Sequence, residues 1–525
     1  MRQSIQTADF DVLIIGAGSA GNVIARRLLD HGLTVGLLEA GGPDSNPTIQ
    51  DVSSAGALWF GPEDWQHWTT EQPGCQGRRL HLPRGKVMGG SHALNAAIWM
   101  RGAKQDFDTW NYLGCPGWGW EEVLPVYMAI EKYDGGASST RGGSGLLDVV
   151  KDYPMNPIQD SILTGAEEMG IPRNEDYNSG DVEGVSKMQL TIRDGKRFNT
   201  WSAYLKPVAQ HPNLTILTEA HVRRLMVEEG QVTGVVFTHE GEEKTFRAGE
   251  TMLTAGVIGS AEILLRSGIG PAEELREAGV APVHDLPGVG KNLHDHLLAP
   301  VIYTTTAREV PAPQTGAAET HLFWKSRPDL AVPDTQPIHF ALPMYSVDSM
   351  SGPENGFSLM GGLVRPLSRG ELTLTGPDPE DQVRIDLGAL TEQADVDSLV
   401  ASVRQCRELG CTQALASWGP EELYPGQDVS DSEEDLEEYV RSTAVTYHHQ
   451  VGTCRMGLDV LAVVDPRTFA VRGLKDLRVA DASIMPLVPT GNTNAPTIMI
   501  AERAAAFLTG KDIIGAEKEA VHAQP

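Results

Sequence analysis

At 525 residues the chain exceeds the roughly 250 to 300 residues over which one hydrophobic core keeps growing, so two domains or one heavily elaborated one are expected. With 42 Lys and Arg against 70 Asp and Glu, the formal charge of −28 argues against nucleic acid and anionic membrane as partners. Cys75, Cys115, Cys406, Cys411 and Cys454 are odd in number and form no CxxC pair, no apolar run reaches the roughly 20 residues of a membrane span, and no signal peptide precedes the first strand, so the chain reads as cytoplasmic, with no disulfide framework, metal site or membrane partner.

The run Phe10-Asp-Val-Leu-Ile-Ile predicts a buried strand entering Gly16, Gly18 and Gly21 at GxGxxG spacing. Ala20, Val23, Ile24 and Leu28 then recur at helical period until Gly32 stops the helix, and Thr34-Val-Gly-Leu-Leu leads into Glu39 and Ala40. This is a βαβ nucleotide cradle. Gly16 permits the tight turn, Gly18 lets a pyrophosphate approach the backbone, and Gly21 lets helix and strand pack closely. The helix N-terminus, at Ser19 and Ala20, supplies amide donors and a positive dipole for phosphates. A carboxylate at Glu39 accepts hydrogen bonds from ribose hydroxyls and repels a 2′-phosphate, which favours NAD or FAD over NADP.

Further along, the tryptophans Trp65, Trp68, Trp118 and Trp120 are expected to fill the core rather than border a substrate funnel. His221–Val227 and Gln231–Phe237 predict a hairpin turning at Glu229-Gly230. The stretch from Arg247 to Gly256 predicts a strand entering a glycine turn, with a helix from near Ser260, and the acidic stretch from Asp428 to Glu438 predicts a solvated helix face. Glycine turns joined to branched apolar runs appear near the start, at 246–300 and at 475–507, whereas 299–445 is richer in proline and acid, so separated pieces build one domain. No solenoid repeat or low-complexity linker interrupts them.

Three motifs carry a resemblance. Arg84-Gly-Lys-Val-Met-Gly89-Gly90-Ser91-His-Ala-Leu-Asn95, then Thr254-Ala255-Gly256 through Gly270-Pro271, and finally His449-Gln-Val-Gly-Thr-Cys-Arg-Met-Gly with Val479-Ala-Asp481-Ala482-Ser483, resemble the glucose-methanol-choline family of flavin oxidoreductases from residue 10 to about 510. The resemblance implies an α/β fold in which a Rossmann-like FAD-binding domain (8–150, 212–298 and 444–512) joins an α+β substrate-binding domain with an antiparallel sheet (151–211 and 299–443), followed by a tail at 513–525. It implies FAD contacts at Arg84, Val222, Ala255, Asp481 and Ala482. Gly89 and Gly90 let backbone pass close to a flat ring, and Asn95 can bond ring or ribitol atoms, although alone these residues would equally suit a glycine turn with an asparagine cap.

Alcohol oxidation requires removal of the hydroxyl proton as hydride leaves the carbon, and an imidazole near pKa 6.5 suits that task. His449 aligns with the family's active-site histidine, and Asn494, in Gly-Asn-Thr-Asn494-Ala495-Pro496-Thr497, with the residue facing it across the substrate oxygen. Pro496 fits the first turn of a helix whose N-terminus would face the flavin's pyrimidine edge and raise its reduction potential. Leu94 stands where some relatives carry a histidine bonded to FAD, so noncovalent FAD is expected. Gln450 replaces a usual proline beside the base. Tyr447 stands where an oxidase can use a small apolar residue, which leaves dioxygen or another electron acceptor open. With His448 and Glu319, these two form the substrate-side candidates. The wording Leu190–Arg197, Asn178-Ser-Gly, Leu293-His-Asp295-His296-Leu-Leu and Val445–His449 is most similar to family members acting on a pyridine hydroxymethyl group, so a primary alcohol such as pyridoxine is expected to yield its aldehyde. The alternatives are choline or another amino alcohol, paired through Glu319, a sugar or glycoside, and, in another class, an FAD-containing hydroxynitrile lyase. Assembly into a homo-oligomer stays open.

Overall fold

The computed structural model describes residues 9–54 and 56–510; the expected tail at 513–525 and the outer ends of the expected FAD-binding pieces lie outside them. The chain opens as predicted, with β1 (Phe10–Ile15), α1 (Ser19–Asp30) and β2 (Val35–Leu38). Ala20, Val23, Ile24 and Leu28 are all buried, and each of the three larger side chains contributes about 1.5–3 kcal/mol by leaving water. In chain order there follow β3 (Gly184–Lys187), β4 (Leu214–Leu217), β5 (His221–Glu228), β6 (Gln231–His239), β7 (Glu242–Leu253), α2 (Gly256–Arg266), β8 (Leu297–Ala299), β9 (Ile302–Thr305), β10 (Ala318–Phe323), β11 (Ile338–Phe340) and β12 (Gly356–Leu363). The chain closes with α3 (Gln393–Gly410), β13 (Pro420–Tyr424), α4 (Glu433–Thr443), β14 (Val445–Thr446), β15 (Leu477–Val479) and α5 (Asn494–Thr509).

One sheet runs β4-β2-β1-β7-β6-β5, with β15 also on β7. Its β4, β2, β1, β7 and β15 pair in parallel, and β5–β6–β7 form the antiparallel extension whose first hairpin turns at Glu229-Gly230. Strand β7 begins at Glu242, five residues before the sequence pattern suggests, because its first half pairs with β6 while its second half pairs with β1. Helix α2 starts at Gly256, ahead of the expected Ser260. There Gly256 turns at φ +77° and its N–H donates to the Asp481 carboxylate (2.9 Å), so a remote acid serves the helix end. Only 433 onward of the acidic stretch is helical: Ser432 Oγ accepts the Asp435 N–H, and Leu436, Tyr439 and Val440 form the buried face of α4.

The second sheet is antiparallel throughout, ordered β13-β9-β12-β11-β10-β3, with β8 bridging β12 and β14. Two expected domain boundaries move. Residues 297–298 and 445–446, assigned above to the flavin-binding pieces, belong to this second sheet. Residues 201–205, assigned to the substrate side, pack on α1 instead: Arg26 donates to the Tyr204 carbonyl (3.1 Å), Arg27 lies over the Tyr204 ring, and the Tyr204 hydroxyl donates to Glu502 of α5 (2.9 Å). Short local pattern cannot separate such neighbours because both sheets use the same branched apolar residues. All five cysteines are free thiols, and no helix of the described residues is long and apolar enough to cross a membrane.

Candidate active site

A cavity of about 1170 Å³ lies between the two sheets, larger than the roughly 300–1,000 Å³ that holds a drug-sized ligand. Its wall takes Gly16, Gly18, Ser19, Ala20, Glu39, Ala40 and Val222 at one end and Tyr447, His448, His449 and Asn492 at the other, with Arg84, Gly90, Asn95, Ala255, Asp481, Ala482, Asn494 and Thr497 between them. Gly21, Gly89, Ala495 and Pro496, the remaining expected contacts, stand behind this wall. Gly21 serves packing, since a Cβ there would meet the Gly16 carbonyl oxygen at 2.0 Å. At Gly90, φ is +54° and a Cβ would stand 2.6 Å from the Gly18 Cα, so two glycine backbones pass each other where a flat or phosphorylated ligand would lie.

Two helix N-termini converge on the cavity. The Ser19 hydroxyl of α1 donates to Oδ1 of Asn494, the first residue of α5, at 2.6 Å, so both positive dipole ends face the same space. Glu39 is buried and holds the turn, accepting the N–H of Ala17 (2.8 Å) and of Gly41 (2.9 Å), and burial pushes its pKa up to about 7. Asp481 accepts from Ser260, Gly256 and Ser483, and burial raises its pKa. Asn95 Oδ1 is occupied by the Ala97 N–H and by Arg197, which fixes its amide. Buried polar atoms without partners remain at Asn492 Oδ1 and Asn494 Nδ2. An elongated cavity with Cβ-free walls, paired helix N-termini and unpaired amides fits a dinucleotide.

The reactive end comes from an irregular strand pair. Leu297 faces Thr446 and His294 faces Val451, so four residues, 447–450, stand opposite two, 295 and 296. The surplus loops out, with His448 at φ +65°, a conformation a non-glycine residue adopts only when its surroundings hold it. Here the Thr446 hydroxyl accepts the His448 N–H (2.7 Å), and Arg84 donates to the His448 carbonyl. Behind the loop, the Asp295 carboxylate accepts the His449 N–H (2.7 Å) and the Gln450 amide. Gln450 thus turns toward Asp295 and Thr446 and supports the loop from behind.

His449 projects from this loop with its ring stacked on Tyr447 (4.6 Å, 23°). Its Nδ1 lies 3.0 Å from His296 Nδ1, and its Nε2 accepts from Asn492 Nδ2 at 2.9 Å. Burial first, then His296, His448 and Arg84, hold its pKa well below the ordinary imidazole value, so the imidazole is neutral at physiological pH and does not sit at the expected 6.5.

Three expectations are corrected. Asn492, not Asn494, meets His449, because Asn494 already belongs to α5 and is tied to α1, whereas Asn492 precedes the helix and is free to project. Glu319 does not line the cavity; buried in β10, it accepts the Asn156 N–H (2.6 Å). Trp118 and Trp120 fill the core as expected, but Trp65 and the half-exposed Trp68 line the cavity with Trp59, whose ring meets His448 edge-on at 5.0 Å. Asn492 and Trp59 went unnoticed in the sequence. Pro496 marks a helix start near these two asparagines but does not by itself tell them apart.

A dinucleotide cradle ending at a neutral imidazole and a carboxamide defines an oxidoreductase site for a hydroxyl-bearing substrate. The family models described as GMC oxidoreductase match residues 10–298 and 366–501. Pyridoxine 4-oxidase of Microbacterium luteolum is 36% identical over 96% of this chain and 99% of its own length, and mitochondrial choline dehydrogenase of Mus musculus is 35% identical over 97% and 90%. The solved structure of pyridoxine 4-oxidase from Mesorbium loti superposes with a TM-score of 0.92 at 34% identity, covering 96% of this chain and 99% of that one. The chain belongs to the GMC oxidoreductase family. It is an FAD enzyme that oxidises alcohols.

Proposed function

We propose that the protein oxidises a primary alcohol on an aromatic ring, a hydroxymethyl arene such as pyridoxine, to its aldehyde, with His449 as base, Asn492 as its partner and FAD held noncovalently. The observation that carries this reading is the 2.9 Å contact of His449 Nε2 with Asn492 Nδ2 on the cavity wall. FAD, when bound, supplies the acceptor for the hydride that leaves the carbinol carbon.

His449 Nε2 takes the hydroxyl proton, and being neutral beforehand it needs no prior deprotonation. Asn492 orients the hydroxyl and donates to the oxygen as negative charge develops there, without the repulsion a carboxylate would add. Around them Leu298, Ile338, Phe340, Met344, Met360 and Tyr447 supply an apolar, partly aromatic wall that suits a flat ring and excludes water. A choline-like cation finds less support, because Glu319, its proposed counter-ion, is turned into the protein. Leu94 on the cavity wall offers FAD no covalent linkage.

Anaerobic addition of pyridoxine, benzyl alcohol, choline or a sugar to the yellow protein tests this reading. Bleaching by the first two, with all flavin released on acid denaturation, is expected. Bleaching by choline or sugar alone would overturn the substrate class, and absence of bleaching by every alcohol would favour the lyase.

A further inference from the structure

We infer that His296 is a positioning residue whose Nδ1 accepts the Nδ1–H of His449 and thereby selects the tautomer with a free Nε2 lone pair. The inference rests on the reading of His449 as base. The two Nδ1 atoms are 3.0 Å apart and the ring planes stand at 89°, so the rings meet edge to edge through a hydrogen bond. One proton lies between two nitrogens. If His296 supplied it, neutral His449 would carry its own proton on Nε2 and could accept none from a substrate. If His449 supplies it, Nε2 is free, which agrees with Nε2 accepting from Asn492.

Among the described residues no carboxylate bonds the His449 imidazole. Asp295 spends its oxygens on the His449 backbone N–H and the Gln450 amide and does not bond the imidazole. His296 itself is buried, and as the acceptor at Nδ1 it carries its own proton on Nε2, the ring atom outside this bond. Charged and titratable neighbours act in the same direction: His448 and Arg84 face His449, Arg365 and His294 face His296, and Tyr447 is neutral and packed against both rings. A neutral acceptor therefore orients the base. When the substrate O–H breaks, its proton forms a bond to His449 Nε2 while the Nδ1–H stays on His449, directed at His296.

The test is nitrogen-15 NMR of the holoenzyme with labelled histidine rings, assigned with His449→Gln, together with anaerobic flavin reduction by pyridoxine. Wild-type His449 is expected to be protonated on Nδ1 and bare on Nε2. His296→Leu is expected to show both tautomers, to shift the pH profile of reduction and to slow reduction by about 10²-fold or more with pyridoxine affinity little changed, whereas His296→Asn, whose Oδ1 can accept the same proton, stays within about tenfold of wild type. A wild-type His449 protonated on Nε2 overturns the inference, as does His296→Leu with the wild-type rate and pH profile. Should His296→Leu fail to hold FAD, the wild-type spectrum and His296→Asn still decide. If His449→Ala reduces flavin normally, the base assignment itself falls; if it is slow while His296→Leu is not, only the positioning role falls.

Discussion

Replacing each asparagine of the Asn492-Thr-Asn494 run by alanine separates two roles that lie two residues apart. Asn492 Nδ2 stands 2.9 Å from His449 Nε2 and, on the proposed reading, donates to the alkoxide. Loss of one such preorganised donor costs about 10²–10³ in the chemical step, roughly 2.7–4 kcal/mol. Asn494 holds a different bond, the 2.6 Å contact from Ser19 Oγ that joins the two helix N-termini. Removing a side-chain hydrogen bond of that kind costs about 0.5–1.5 kcal/mol, which is about two- to tenfold in FAD affinity if the cradle loosens. Stopped-flow reduction of the flavin under anaerobic conditions reads the first effect, and titration of apoprotein with FAD reads the second. Asn492→Ala is expected to bind FAD normally and reduce it slowly; Asn494→Ala is expected to reduce it at near wild-type rate once saturated. The opposite assignment, with Asn494→Ala slow at full FAD occupancy and Asn492→Ala fast, would refute the reasoning.

Three further outcomes follow from the same geometry. Buried His92, His296, His321 and His339 and partly buried His448 each have a pKa lowered to about 3, so between pH 6.5 and 3 they are charged only when unfolded and each removes about 1.4 kcal/mol of stability per pH unit as pH falls. Glu39 at about 7 and Asp295 at about 6 act oppositely, which still leaves a net loss; an unchanged denaturant midpoint between pH 7 and 5.5 would contradict this. Gly18→Ala meets nothing closer than 3.8 Å and should fold normally while binding FAD at least about tenfold more weakly, whereas Gly21→Ala, with its Cβ 2.0 Å from the Gly16 oxygen, should yield no stable holoenzyme; FAD content and melting temperature compare them. Glu319→Ala should cost about 1.5–3 kcal/mol of stability by freeing the Asn156 N–H but leave the KM for pyridoxine unchanged, as steady-state kinetics would show.

The parts legible in the sequence are those whose signal is local. Gly16 to Glu39 declares the βαβ unit because turn, helix period and terminal acid fall within 30 residues, and the hairpin at Glu229-Gly230 is equally local. The residues that went astray depend on partners far along the chain. Glu319 carries no local mark of the Asn156 backbone it serves, 163 residues away. Asn492 and Asn494 share one motif, and only the helix start and the Ser19 contact, 475 residues distant, assign them different partners. The pKa of His449 was likewise unreadable, since it comes from burial beneath one sheet edge and from groups at 84, 296 and 448.

The same non-local pairing explains why His449 stands where it does. A regular ladder between β8 and β14 continued to Val451 would send alternate residues to opposite faces, and His448 and His449 could not both reach the cavity wall. Four residues against two break that alternation, and the break is held by Asp295, Thr446 and Arg84 together rather than by any single bond. Each of these groups binds backbone or a neighbouring side chain, which leaves both nitrogens of the His449 ring for His296 and Asn492. The strain at His448 is thus coupled to the placement of its neighbour: a regular strand would relieve it, and would also withdraw the His449 imidazole from the contacts it makes with His296 and Asn492.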